Sequence, residues 1–334
     1  MKTNNPLKVA VIGCGLIGAK RARWINEDSR TELAFAVDLD PSKAKALASG
    51  TSARPETDWK KVTDNPQVQI VVVSTPNHLL SPVACRALAA GKHVLIEKPM
   101  GRNLKEALAM QGAAKRAGKK LKVGFNHRYH PALSKTHALI KSGAIGKILN
   151  LRCVYGHGGR AGYENEWRGN PKKAGGGELT DQGIHIIDLM RWFCGEAKQV
   201  SCFLQTAFWP IKPAEDNGFA LIRFKSGALG SFHSSWTQWK NKFLLEIFGE
   251  KGSLEINGLG GSYGTETLKI GKRIAAGKAP EFTEEVFEGE DLSWKSEWDD
   301  FLSGSGNADD GIGAMKILDA LYRSAKSGKT IDLN

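Results

Sequence analysis

The stretch "KVAVIGCGLIGAKRARWINED", residues 8–28, decides the fold. It begins as a short β-branched apolar run, breaks at a glycine turn and continues with helical periodicity. Gly13, Gly15 and Gly18 stand at that junction in the spacing G-x-G-x-x-G. The first glycine permits a tight turn, the second lets a pyrophosphate approach the backbone, and the third lets helix pack closely on strand. The phosphates then rest on the first helical turn, at Leu16 and Ile17, where free N–H groups and the helix dipole favour an anion. Twenty residues past Gly18, "LAFAVD" ends in Asp38, placed to accept hydrogen bonds from adenosine ribose hydroxyls. A carboxylate there repels a 2′-phosphate and no arginine follows closely, so the expected cofactor is NAD, with NADP left open. Cys14 is read only as a small residue that fits the turn.

Beyond Asp38 helical and strand patterns alternate: helix near 41–49, strand "VQIVVVSTPN", helix 81–90, strand "HVLIEKPM", helix 104–117, strand "LKVGFNH". That alternation predicts a doubly wound parallel sheet, which binds ligands beyond the carboxyl ends of its strands. Those ends carry Ser74, Thr75, Pro76 and Asn77 followed by His78, then Glu97, Lys98 and Pro99, then Asn126, His127 and Arg128. Pro99 invites a cis peptide or a sharp turn after Lys98.

The chain has 334 residues, 41% hydrophobic and 25% charged, which suits a globular protein of two domains. The expected division is 1–125, a dinucleotide-binding domain, and 126–334, a substrate-binding and oligomerisation domain. No apolar run approaches membrane-spanning length, and no signal-peptide pattern opens the chain. Five scattered cysteines without a C-x-x-C pair fit neither a disulfide framework nor a zinc ribbon, so a reducing, cytoplasmic setting is expected. The formal net charge of +12 is spread along the chain without a nucleic-acid motif. An anionic small molecule is the better use for it.

From about residue 147 longer segments follow, among them "KILNLRCVYGH", "NGFALIRF" and "KFLLEIFG", several alternating apolar with polar as in an antiparallel sheet with one covered face. "GLGGSYG" at 258–264 lacks a following helix and is read as a flexible turn.

Four segments resemble the Gfo/Idh/MocA family of sugar and cyclitol oxidoreductases: "GCGLIG", "STPNHLLSPVACRALAAGKHVLIEKP", "GFNHRYHPALSKTHALIKSGAIGKI" and "GGGELTDQGIHIIDLMRWFCG". The resemblance spans essentially the whole chain. It implies an α/β protein, with an N-terminal Rossmann domain and a C-terminal α+β domain built on a large, predominantly antiparallel open sheet. That sheet commonly forms the oligomer interface, so a homodimer or homotetramer is expected. It also implies a sugar-type substrate and a catalytic set of Lys98, Asp181 and His185. Many members carry His three residues after the Asn of T-P-N, where Leu80 stands here.

Residues 178–195, "ELTDQGIHIIDLMRWFCG", read as a buried helix carrying a polar stripe of Asp181, His185 and Asp188. His185 is the candidate base for an alcohol proton, Asp181 a group that holds substrate or favours the imidazolium, and Lys98 a stabiliser of alkoxide character. Gly175, Gly176, Gly177 and Gly183 are expected to leave room for ligand, and Asp188 to pair with a neighbour. A satisfied core pair is the bland reading of Asp181 and His185; a metal site lacks further ligands. The glycine-rich stretch 156–177 carries Arg160, Tyr163, Trp167 and Arg168 and is expected to close over substrate, with His127 and Arg128 beside it. The arginines suit an anionic sugar. The reaction expected is hydride transfer between nicotinamide and a secondary alcohol or ketone. The alternatives are a sugar–sugar oxidoreductase with tightly held cofactor and a non-catalytic NAD(H)-binding sensor.

Overall fold

The computed structural model describes residues 5–274, 278–304 and 306–333, which fall into two compact units. The first contains Met1–Phe125 together with Trp294–Ile312; the second contains Asn126–Ser293 and Gly313–Asn334. Residues 294–312 thus belong to the first unit, where a single break at 125/126 places them in the second.

In the first unit, β1 (Leu7–Ile12), α1 (Leu16–Glu27), β2 (Thr31–Val37), α2 (Pro41–Ala48), β3 (Arg54–Glu56), α3 (Trp59–Asp64), β4 (Ile70–Val73), α4 (Asn77–Ala89), β5 (His93–Glu97), α5 (Leu104–Ala117) and β6 (Leu121–Gly124) follow in order. The strands form one six-stranded sheet in the order β3-β2-β1-β4-β5-β6, with every pairing parallel. Helices on both faces explain why β4 is buried at all four positions rather than alternating. The order reverses between β1 and β4, the crevice where such sheets bind nucleotides. Helix α4 begins at Asn77, earlier than the expected 81, so Pro76 and Asn77 sit at its N-terminus.

The returning segment is tied in by burial and by hydrogen bonds. Trp298 and Phe301 of α9 (Ser293–Ser303) join the core of Val9, Val11, Ile25, Leu33 and Leu95. Asn307 accepts from the Val123 N–H at 2.7 Å and donates to its carbonyl at 3.3 Å, covering the exposed edge of β6. Leu80, the departure from the family pattern, is fully buried.

The second unit contains α6 (Pro131–Lys141), β7 (Ile148–Gly156), the one-turn α7 (Pro171–Ala174), α8 (Ile184–Cys194) and β8 (Ala197–Gln205). It continues through β9 (Asn217–Phe224), β10 (Leu229–Ser235), β11 (Lys242–Gly249), β12 (Gly252–Asn257), β13 (Glu266–Lys272), β14 (Glu281–Phe287), α10 (Ala308–Ser327) and β15 (Ile331–Asp332), with α10 counted here from Gly313. Nine strands form a sheet ordered β14-β13-β12-β11-β7-β10-β9-β8-β15, antiparallel except for the β7–β10 pair. One face is covered: α8 lies on β7, and α6 lies on β12 and β13. The other face leaves Phe203, Phe219 and Leu221 exposed. No described helix is long and apolar enough to cross a membrane.

Candidate functional site

The turn after β1 is shaped by glycine at two positions where no other residue fits. Gly13 has φ of +99°, and a Cβ there would come within 2.5 Å of the Ser74 carbonyl. A Cβ on Gly18 would lie 1.9 Å from the Gly13 carbonyl oxygen, so α1 can seat against the strand only with glycine. Gly15 differs: its Cβ position has nothing within 4 Å. Gly15 is also the N-cap of α1 and offers no capping side chain, which leaves the first-turn N–H groups of exposed Leu16 and half-buried Ile17 without a side-chain cap.

Asp38 is fixed by main-chain donors, its Oδ2 accepting from Cys14 N–H at 2.8 Å and its Oδ1 from Asp40 N–H at 3.0 Å. Burial, followed by the Asp38 charge, pushes the Cys14 thiol up to about 12, so Cys14 is an unreactive filler of the turn. Ser74 donates to the Gly13 carbonyl at 2.7 Å. The buried Thr75 hydroxyl has no hydrogen-bond partner among the described residues. An open glycine, an uncapped helix start, a clamped carboxylate and an orphaned hydroxyl fit a dinucleotide.

At the carboxyl end of β5, Glu97 is buried and its Oε1 accepts from Arg21 at 2.7–2.8 Å, while Arg21 also meets Glu297 at 2.6 Å. This ion pair ties β5 to α1 inside the first unit. The Lys98–Pro99 bond is cis, and Lys98 is half-buried. His78, also half-buried, lies in the first turn of α4.

In the second unit the polar stripe does not lie on a uniform α-helix. Residues Leu179–Gly183 form a π-helical turn that runs into α8, so Asp181 sits in a wider turn than the rest. The three stripe residues meet different partners. His185 stacks face to face on His127, with ring centroids 3.7 Å apart and planes within 16°. Asp188 receives both Nε and a terminal nitrogen of Arg128, at 2.7 and 2.6 Å. Asp181 meets Arg168 at 3.2 Å.

Arg128, expected at the substrate, is therefore consumed by a buried, bidentate ion pair, with its guanidinium also over Trp192. Asp188 pairs with a neighbour as expected. Tyr163 is a second correction: it is buried in a cluster with Ile211, Ala214 and Trp236, and so cannot lie on a sugar ring. Burial first, and Asp181 next, pushes its hydroxyl up to about 12. Arg160 pairs with Glu166 at 2.7 Å, and Arg168 lies 4.5 Å over the half-buried Trp167 ring. The stretch 156–177 is built from two 3₁₀ turns, Tyr163–Asn165 and Trp167–Gly169, and α7, rather than being a featureless loop.

The glycines before α8 are a third correction. A Cβ on Gly176 would strike the Tyr322 hydroxyl at 1.9 Å, and one on Gly177 the Glu215 carbonyl at 2.1 Å. A Cβ on Gly183 would sit 2.9 Å from Leu179. The chain's own atoms occupy these places. Glu215 accepts from Gly177 N–H, Leu179 N–H and the Tyr322 hydroxyl at 2.9, 3.1 and 2.6 Å, which anchors the start of the π turn.

His127 touches the Tyr155 hydroxyl through Nε2 at 3.1 Å and Asn126 through Nδ1 at 3.3 Å. Tyr155 packs on Tyr263 at 5.1 Å, and Gln182 donates to the Tyr263 hydroxyl at 3.2 Å. Asn126 in turn donates to Ser293 at 3.2 Å. Sequence reasoning missed Tyr155, Gln182 and Tyr263. Tyr155 was signalled only by its inward place in the alternation of β7, and Tyr263 lies in the turn at 258–264 read as flexible. Among the described residues no group of three or more His, Cys, Asp or Glu is arranged to hold a metal ion.

Two family models match the chain. The oxidoreductase family with an NAD-binding Rossmann fold matches residues 7–125, and the GFO/IDH/MocA C-terminal domain matches 133–255. Levoglucosan dehydrogenase of Pseudarthrobacter phenanthrenivorans is 33% identical over 60% of this chain. That match spans 58% of the relative, less than two thirds of its length. Inositol 2-dehydrogenase 2 of Saccharopolyspora erythraea is 26% identical over 97% of this chain and 94% of its own. A levoglucosan dehydrogenase structure in complex with NADH and levoglucosan superposes with a TM-score of 0.89 at 26% identity, covering 98% of this chain and 99% of that one.

Proposed function

Because the chain belongs to the Gfo/Idh/MocA oxidoreductase family, with an NAD-binding Rossmann domain at its N-terminal side, we propose that it is an NAD-dependent dehydrogenase of a sugar or cyclitol secondary alcohol. The observation that carries this reading is the buried His185, stacked on His127 in a cluster lined by Tyr155, with Asp181 in the π turn that leads into the same helix. Oxidising a secondary alcohol removes a proton from oxygen and a hydride from carbon. When bound, the nicotinamide ring accepts the hydride. His185 takes the hydroxyl proton, and the neutral imidazole becomes imidazolium. Asp181 stabilises that cation, and its pairing with Arg168 fixes where the carboxylate stands. The family resemblance gives Lys98 the task of stabilising alkoxide character on the substrate. Reduction of the ketone runs the same transfers backward.

Asp38 supports NAD over NADP, since both of its oxygens are held by main-chain N–H groups and a 2′-phosphate would meet that fixed charge. An anionic substrate would compete with Glu166 and Asp181 for Arg160 and Arg168, so a neutral polyol or sugar is the first choice. The exposed apolar face of the nine-stranded sheet supports assembly into a homodimer or homotetramer. Five free cysteines suit a reducing, cytoplasmic setting.

The test is the absorbance of reduced nicotinamide after mixing protein and NAD with polyols, free sugars, glycosides and sugar phosphates. Turnover with one hydroxylated class supports the reading. NAD binding without turnover on any member of a broad panel contradicts it.

A further inference from the structure

One aromatic group in the second unit serves neither the core nor the acid–base cluster. Phe208 is 61% exposed and Trp239 63% exposed, and their rings meet edge to face at 4.9 Å. Large rings left in water are a standing cost to solubility unless they bind something. Trp239 has φ of +57°, and among the described residues it is the one non-glycine residue with positive φ. For so bulky a side chain this left-handed backbone is strained, and such strain persists where the surroundings enforce it, commonly at binding sites.

The Phe208 side of the pair is held firmly. Buried Asp216 accepts from the N–H groups of Ala207, Phe208 and Trp209 at 2.8, 2.8 and 2.9 Å, so the backbone under Phe208 is fixed. Trp209 packs beneath, 5.1 Å from Phe208, and donates its indole N–H to the Trp236 carbonyl at 3.0 Å. Gly159 is pressed against Trp209: a Cβ there would come within 2.3 Å of the indole nitrogen. Gly158 runs beside the Trp239 backbone, its Cβ position 3.5 Å from the Trp239 Cα.

The platform shares a supporting segment with the proposed site. Tyr163 touches Trp209 at 6.0 Å, its hydroxyl feels the Asp181 charge, and the same segment carries Arg168 to Asp181. Arg160 lies 5.0 Å over the Tyr163 ring and pairs with Glu166, so the segment that packs on Trp209 carries a donor and an acceptor for sugar hydroxyls. The C–H face of a pyranose suits the negative face of an aromatic ring.

We propose that Phe208 and Trp239 form a stacking platform for a second pyranose ring, so that the substrate is a glycoside or disaccharide rather than a lone sugar. This rests on the sugar-dehydrogenase reading, but binding tests it separately from turnover. The NAD-loaded protein is titrated with cellobiose, maltose and glucose while tryptophan emission and bound heat are followed. A disaccharide is expected to bind at least about tenfold more tightly than glucose and to shift the emission. Trp239→Ala and Phe208→Ala should each cut that preference severalfold, and Trp239→Phe should keep much of it.

Trp239→Gly separates binding from structure: it should lose the preference while raising Tm, because glycine relieves the left-handed backbone. Equal binding of both disaccharides and glucose would overturn the proposal, as would an undiminished preference in Trp239→Ala or a lower Tm in Trp239→Gly. Shielding of Trp239 from iodide in the ligand-free assembly would overturn it too, since a second copy would then cover the platform. Failure of NAD reduction alongside selective disaccharide binding would strike the proposed reaction and leave the platform standing.

Discussion

The glycine turn of the first unit and the helix start that carries His185 in the second achieve position by opposite means. At the turn, space is made by absent atoms: no side chain stands at Gly13 or Gly18 because backbone fills the place where a Cβ would go, while Gly15 opens outward. At the helix start, position is set by atoms that are present. His185 is backed by the His127 ring, Asp188 is gripped by Arg128, and Glu215 and Tyr322 fill the spaces beside Gly176 and Gly177. A backbone-built site fails when something is added. One built from side chains fails when something is removed.

That contrast orders four expected outcomes. The largest is His185→Ala, which removes the proposed base and should lower kcat by about 10²–10⁴ while leaving NAD binding, read by nucleotide titration, near wild type. Next is Arg128→Ala. It removes both guanidinium hydrogen bonds from the fully buried Asp188 carboxylate and should cost about 3–5 kcal/mol in urea unfolding, with Arg128→Ala/Asp188→Asn recovering part of the loss. Gly18→Ala should follow, since its methyl meets the Gly13 carbonyl at 1.9 Å. Overpacking of that kind costs about 1–3 kcal/mol, and NAD affinity should fall with it.

The smallest effect is on pH dependence. His137 stacks on Trp192 at 3.8 Å, and burial, then Lys141 and Arg128, lower its imidazole from 6.5 to about 4. The unfolded chain therefore takes up a proton below 6.5 that the folded chain refuses, so this contribution to stability is full above 6.5 and is lost as pH falls toward about 4. His137→Phe keeps the stack and removes the titration. Relative to wild type it should gain stability between neutral pH and about pH 4.5 in paired urea titrations. A parallel acid limb in both proteins would contradict the assignment.

The same contrast explains how far sequence reading reached. The first unit was legible because its decisive features are local: three glycines within one turn, an acid at the next strand end, and strands whose order follows the doubly wound rule. In the second unit the polar stripe was visible, but its partners were not. Arg128 and Asp188 lie 60 positions apart, and local periodicity gives no pairing between them. Arg128 thus read as a substrate contact, and Tyr163 as a platform although it is core. A π turn leaves no clear mark in hydrophobic periodicity, so Asp181 seemed aligned with His185 and Asp188. The turn at 258–264 read as flexible because its glycines dominate, yet it delivers Tyr263 to Tyr155.

The most direct test of the central claim follows the hydride itself. A sugar alcohol or glycoside deuterated at its carbinol carbons is incubated with the protein and NAD, and the recovered nicotinamide cofactor is weighed by mass spectrometry. Hydride transfer between substrate carbon and nicotinamide predicts one deuterium in the reduced cofactor, with the transfer abolished or slowed by orders of magnitude in His185→Ala. Reduced cofactor without deuterium, or equal transfer rates in the two proteins, would contradict the account.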